Sequence, residues 1–377
     1  MALRSLHMGT RDRTGALLVA LAMAAACGGG TTAGHTPTPK VATPTPTAAP
    51  TNTTIPTPSP QAVSTPYGVL VTRPGQGQTT YTVTLVRTDG SVAASHMAGA
   101  PPPVSCANAA AALVPLPVST SDSGVYYLDN GSGVTFMGPD GTVRQVTSVP
   151  ASSATRRSMF AVSPDDRRIA VVVDDFTSSG ASTRLYAEDL NGGGNHIELF
   201  SESGAFTLWP IGWHTPQNLV VAKVPSCTQG GGPFCCGPIE YHVVDPATAN
   251  RRFVIGSSTC PIAGAPSIAG VVCESPPNAM ALSWTNTTLR TYTIQGPIGA
   301  YLSPNGSNVA FVDNVGTTFT GGGSAMAGVF TCEWIDDSHV LAGGDTQQQA
   351  RVGDLSSHSV SAVPAQGECA GRLPGGL

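Results

Sequence analysis

Ser163-Pro164-Asp165-Asp166-Arg167-Arg168-Ile169-Ala170-Val171 reads as a tight turn that runs straight into an apolar strand. Ser, Pro and Asp each favour a turn for a separate reason, and Ile, Ala and Val then suit a buried pleat. The same order returns at Ser303-Pro304-Asn305-Gly306-Ser307-Asn308-Val309-Ala310-Phe311. Acidic turns are expected to follow both, at Asp174-Asp175 and Asp313-Asn314. A second pair has its own register: Trp213-His214-Thr215-Pro216-Gln217-Asn218-Leu219-Val220 lies against Trp334-Ile335-Asp336-Asp337-Ser338-His339-Val340-Leu341. A third element, strand then Asp turn then strand, recurs at Asp89-Gly90, Asp140-Gly141, Asp189-Leu190, Asp245-Pro246 and Asp354-Leu355. No stretch holds a helical apolar period, so the folded part reads as all-β and repetitive.

The Ser-Pro-Asx element resembles the WD40-like or TolB-like β-propeller repeat, whose core reads Ser-Pro-Asp-Gly, then a strand that ends in an acidic turn. By direct match the resemblance covers about half of residues 66–377, and Ser163 to Asp175 is its strongest copy. It implies an all-β β-propeller of about seven four-stranded blades. The Ser-Pro copies stand 140 residues apart, or about 47 per blade if three blades separate them. That spacing suits propeller repeats. It places blades near 66–100, 101–150, 151–203, 204–256, 257–297, 298–328 and 329–365. Six or eight blades are the alternatives in number. A pair of two-sheet sandwiches is the alternative architecture, and the period argues against it.

Composition agrees with such a fold. The 377 residues include 44 Gly and 32 Pro, about 20% together, and residues 66–377 alone keep that proportion. Hairpins every 8–12 residues demand such turn formers. Charged residues are only 11%, as faces packed between blades require, and the net charge of −5 excludes a nucleic-acid binder.

Residues 1–26 read as a signal peptide. Arg4, Arg11 and Arg13 precede the apolar run Gly15 to Ala26, which is too short to span a bilayer. The run ends in Ala24-Ala25-Ala26-Cys27, which resembles the lipobox of bacterial lipoproteins; the resemblance implies lipidation at Cys27 and an anchored, extracytoplasmic protein. Residues 27–65 are the lipidated Cys and a flexible linker, rich in Thr-Pro steps such as Thr43-Pro44-Thr45-Pro46. Extended as polyproline II at about 3.1 Å per residue, the linker would reach roughly 120 Å. Residues 66–377 form the propeller domain.

Nine cysteines divide into Cys27 and eight others: Cys106, Cys227, Cys235, Cys236, Cys260, Cys273, Cys332 and Cys369. An even number in an exported chain reads as up to four disulfides. Proximity favours Cys260–Cys273 and Cys332–Cys369, the latter opening and closing the last blade. Cys227 would pair with Cys235 or Cys236, and Cys106 with the one remaining. Without C-x-x-C or histidines at ligand spacing, no metal and no cofactor is expected.

Asp174 and Asp175, expected in a turn on one face, are candidate ligand contacts; their plain role is turn chemistry. Trp213 and Trp334 occupy equivalent repeat positions and read as packing between blades. Trp209 and His214 are less constrained and are the candidates for an exposed binding site. No G-x-S-x-G, S-x-x-K, H-E-x-x-H or phosphate loop is present. The function expected is therefore a monomeric, non-catalytic binding or scaffold module for a protein, peptide or glycan of the cell envelope. The alternative is an extracytoplasmic lyase or hydrolase, its site built by several blades at the central channel.

Overall fold

Apolar runs of four to six residues between turn formers cannot bury both faces alone, so they pair into small sheets that stack on one another. The computed structural model describes residues 60–73, 78–104, 115–177, 180–226, 238, 240–295, 299–321 and 325–377. Residues 1–59 with Cys27, and Cys106, Cys227, Cys235 and Cys236, lie outside the described residues. Within them the chain forms seven antiparallel sheets and no helix: six sheets have four strands and one has three. The protein is an all-β, seven-bladed propeller.

The strands that line the centre are Val118–Thr120 in blade 2, Arg156–Val162 in blade 3 and Phe206–Thr215 in blade 4, then Gly299–Leu302 in blade 6 and Thr331–Trp334 in blade 7. Blade 1 takes its inner strand from the far end of the chain. Glu368–Leu373 pairs antiparallel with Tyr67–Val71, setting Tyr67 opposite Leu373 and Val71 opposite Glu368. The first blade was expected from residues 66–100 alone, and the last to end near 365. Tyr67–Val71 is almost wholly buried and would otherwise be an open edge, which ring closure removes.

Blade 5 departs from the four-strand expectation. Its regular strands are Val271–Ser275, Asn278–Leu282 and Thr288–Thr293. The segment ahead of them reaches its sheet only through the Ile262–Cys273 bridge and adjoining backbone bonds, such as Ala263 N–H to the Val272 carbonyl at 2.9 Å. Pro261 and Pro266 flank that segment and have no N–H to give a ladder. Cys260 and Cys273, bonded at 2.14 Å, tie it down covalently.

The repeated turn is the same device in both copies. Ser163 Oγ donates to Asp165 Oδ1 at 2.7 Å and accepts from Arg168 N–H at 2.9 Å. Ser303 Oγ donates to Asn305 Oδ1 and accepts from Asn308 N–H, each at 3.0 Å. The fourth turn residue is left-handed in each, Gly306 at φ 73° and Asp166 at φ 58°. Asp166 occupies the glycine position because its carboxylate has a use: it accepts from Tyr126 Oη of blade 2 at 2.8 Å.

Cys332–Cys369, with S–S 2.03 Å and Cα–Cα 5.8 Å, joins the inner strand of blade 7 to the closing strand of blade 1. It was expected to close the last blade on itself. The ring seam passes between these strands, so the bond locks the seam instead. At the other end of the described chain, Val63 N–H donates to the Asp122 carbonyl at 2.8 Å, and its side chain packs against the core cluster that blades 1 and 2 share.

Candidate functional site

The inner strands leave a cavity of about 760 Å³ along the centre. That is the size of a small-molecule pocket. Blade 1 contributes Arg73 and Gln78 beside its second strand, with Gly371 and Arg372 from the closing strand. The crossing from blade 1 to blade 2 adds Pro103, Val104, Leu116 and Pro117. Blade 3 contributes Arg157 to Phe160, blade 4 Pro210 to Trp213, and blade 7 Glu333. Beyond the closing strand, Gly375 N–H donates to the Ser121 carbonyl at 2.7 Å and Leu377 N–H to the Trp213 carbonyl at 2.8 Å, so the last residues border blades 2 to 4.

The walls are mostly apolar, and the few charged groups stand out. Arg156 and Arg157 point to opposite sides of one strand. Arg156 makes a two-bond pair with Asp175, at 2.7 and 3.0 Å. Arg157 is only 6% exposed; its Nη2 donates to the Pro102 carbonyl at 2.5 Å, and its Nε has no partner. Glu333 is buried, and burial pushes its carboxyl up to about 7 against the opposing effects of Arg372 and the Trp334 amide. Burial also lowers the Arg372 guanidinium, while Glu333, Asp337, Asp122 and Asp336 raise it. The ion pairs among the described residues stay within single blades; Arg73 with Glu368, at 2.5 Å, is the one at the channel. Among the described residues no three His, Cys, Asp or Glu gather as metal ligands.

The residues singled out from sequence scatter. Trp209 is not exposed: it is 5% accessible and packs in the core cluster that runs across blades 3 to 5. The bulges at Pro210/Gly212 and Trp213/Thr215 reset the strand's alternation, which sequence periodicity could not anticipate. His214 is half-buried, with Nδ1 bonded to the Leu377 carbonyl and its ring stacked on Trp284 at 5.5 Å. Burial holds its imidazole below the ordinary range. It adjoins the cavity-lining Trp213.

Asp174 and Asp175 lie inside the strand Arg168–Thr177, not in a turn, because pairing with Gly180–Asp189 continues past them. Asp174 is fully buried and accepts from Thr183 Oγ1 at 2.6 Å, while Asp175 is held by Arg156. Trp213 and Trp334 are interblade packing residues, as their repeat positions suggest. The charged channel residues Arg157, Glu333 and Arg372 went unread. The available signal was a charge inside an inner strand, in Arg-Arg-Ser-Met-Phe-Ala-Val and Thr-Cys-Glu-Trp.

Fold and channel together define a seven-bladed propeller with a mostly apolar central cavity and a few buried charges. No family model matches the chain, and no curated protein matches it. Among solved structures it is similar to an oligogalacturonate lyase in complex with manganese, at 11% identity and TM-score 0.46, covering 81% of this chain and 96% of that one. It is also similar to BamB from Moraxella catarrhalis, at 13% identity and TM-score 0.37, covering 74% of this chain and 78% of that one. Prolyl oligopeptidase B from Galerina marginata matches at 8% identity and TM-score 0.37, covering 81% of this chain and 42% of that one.

Proposed function

We propose that the protein is a non-catalytic binding or scaffold module of the cell envelope, lipid-anchored through Cys27 on the extracytoplasmic face, which receives part of a protein, peptide or glycan in its central channel. One observation carries this reading: the cavity is preformed and mostly apolar, and its few charged groups from different blades make no hydrogen-bonded constellation among the described residues. A general base must lie within hydrogen-bond reach of the proton it takes, and a nucleophile beside its base. Glu333, Arg157 and Arg372 come from blades 7, 3 and 1, yet no hydrogen bond or ion pair joins them among the described residues. Apolar walls with a few fixed polar groups suit recognition. The anchor rests on the small residues before Cys27, and the TolB-like family reading on the Ser163 to Asp175 repeat.

An enzyme is the second reading. Glu333 favours it, since a carboxyl raised to about 7 in a cleft suits proton transfer. A photo-cross-linking amino acid at Met159, inside the channel, tests the first reading in intact cells. It should capture an envelope component that the same group at Val143, on the outer strand of blade 2, does not. Equal capture at both sites, or none, would count against the channel as the binding site; turnover of the captured component would favour the enzyme. Cys27→Ala should release the protein from membranes.

A further inference from the structure

We infer that the channel takes a carboxylate joined to an apolar body, with the carboxylate bound at Arg157. The inference rests on the channel being the binding site and adds what chemistry it selects. Three guanidinium groups line the cavity, and two have acids. Arg73 pairs with Glu368 at 2.5 Å. Arg372 lies in the field of Glu333, Asp337, Asp122 and Asp336.

Arg157 has neither. Its cross-strand neighbour is Asp174, but no ion pair forms between them: Asp174 Oδ1 takes a bond from Thr183, and its Oδ2, like Arg157 Nε, has no partner. The Arg157 side chain instead lines the cavity, one nitrogen on the Pro102 carbonyl and Nε–H without an acceptor. Burial alone accounts for the fall of its guanidinium to about 10. A buried charge with an unmet donor is costly, and an arriving carboxylate supplies both the counter-charge and the acceptor.

The remaining walls set the rest of the ligand. Met159 and Phe160 continue the Arg157 strand, and Pro103, Val104, Leu116 and Pro117 line the same cavity. These side chains make an apolar wall beside the Arg157 guanidinium, which suits a hydrocarbon body carrying one acid group. One uncompensated cation matches one negative charge, and a phosphate dianion would leave an excess charge buried. Two sources share the chemistry: a small organic acid, or the C-terminal end of an apolar peptide.

The test compares each acid with its neutral amide. Calorimetry on the purified propeller would use 1-naphthylacetate against 1-naphthylacetamide, and N-acetyl-Leu-Phe acid against its amide. At least one acid should bind about tenfold or more tighter than its amide, a difference of about 1.4 kcal/mol. The pair that shows the preference identifies the source. Arg157→Gln should bring acid and amide together, and Arg157→Lys should keep part of the preference. Acid and amide binding alike, or a preference that survives Arg157→Gln, would overturn the inference while leaving the channel reading intact. No binding by any of the four overturns the inference too, and capture from Met159 then decides the channel reading separately. Should Arg157→Gln fail to fold, the acid-to-amide ratio of the unaltered protein still decides.

Discussion

The Trp213 indole nitrogen donates to the Ala161 carbonyl at 3.0 Å, across the boundary between the inner strands of blades 4 and 3. Trp334 does the same to the Tyr301 carbonyl of blade 6 at 2.9 Å. Both side chains are 1% exposed. Two tryptophans that share a repeat position therefore share a bond, and each sets the height of its blade against the one before it. The repeat in sequence is thus a repeat in how blades are joined.

Trp213→Phe keeps most of the ring and removes only the donor, leaving the Ala161 carbonyl short of a partner in a dry boundary. The expected cost is about 1–3 kcal/mol in urea unfolding, with a similar loss for Trp334→Phe. Losses near zero at both sites would mean that packing alone holds the blades.

Removing Cys332–Cys369 should cost more than removing Cys260–Cys273. The sequence separations are 37 and 13 residues. Loop-closure entropy gives about 4 kcal/mol for the longer and about 3 for the shorter. The longer one also holds the ring seam, so its double serine variant should expose the edges of blades 7 and 1 to amide exchange first. Exchange that begins instead in blade 5 would show that the seam does not depend on the bond.

Turn-and-strand punctuation was legible because it is local. Ser163, Ser303, Trp213 and Trp334 each announce a turn or an anchor within a few residues. The closing strand Glu-Cys-Ala-Gly-Arg-Leu announces nothing, having no β-branched residue and no alternation. It becomes a strand because Tyr67–Val71 offers an edge about 300 residues away in sequence. In sequence Arg156-Arg157 is only a pair of adjacent cations, and its place on an inner strand is what separates a surface ion pair from a buried cation. Asp174-Asp175 looked like a turn for the same reason: Thr183 and Arg156, which keep the two acids in a strand, come from neighbouring strands.

Asp174 should make stability fall as pH rises. Burial outweighs the Thr183 bond and raises its carboxyl to about 7 in the folded chain. Unfolded, it returns to roughly 3.9. Between these values the unfolded chain has released the proton and the folded chain has kept it, so stability declines with rising pH and levels off above about 7. Across that whole span the decline is on the order of 4 kcal/mol. Asp174→Asn cannot titrate and should lose that slope. Comparing unfolding free energies at pH 5 and pH 8 checks it, and equal slopes in both proteins would sink the assignment.

Ser163→Ala and Ser303→Ala test whether the two turn copies are energetic equals. Both serines are fully buried, and each hydroxyl accepts the amide that opens the next strand, Arg168 or Asn308. Alanine leaves that amide unpaired in a dry turn, which costs about 1–3 kcal/mol. It also frees Asp165 or Asn305 from its hydroxyl donor, but these side chains still accept from backbone N–H groups within the turn, at Arg167 and Ser307. Blades 3 and 6 are not neighbours, so the double variant should lose the sum of the single losses to within about 0.5 kcal/mol. A loss at Ser303 well below that at Ser163 would mean that Asp166 and its Tyr126 bond, absent from the blade 6 copy, carry part of what the turn contributes. Tyr126→Phe in the Ser163→Ala background would then show coupling, whereas equal single losses predict that it adds independently.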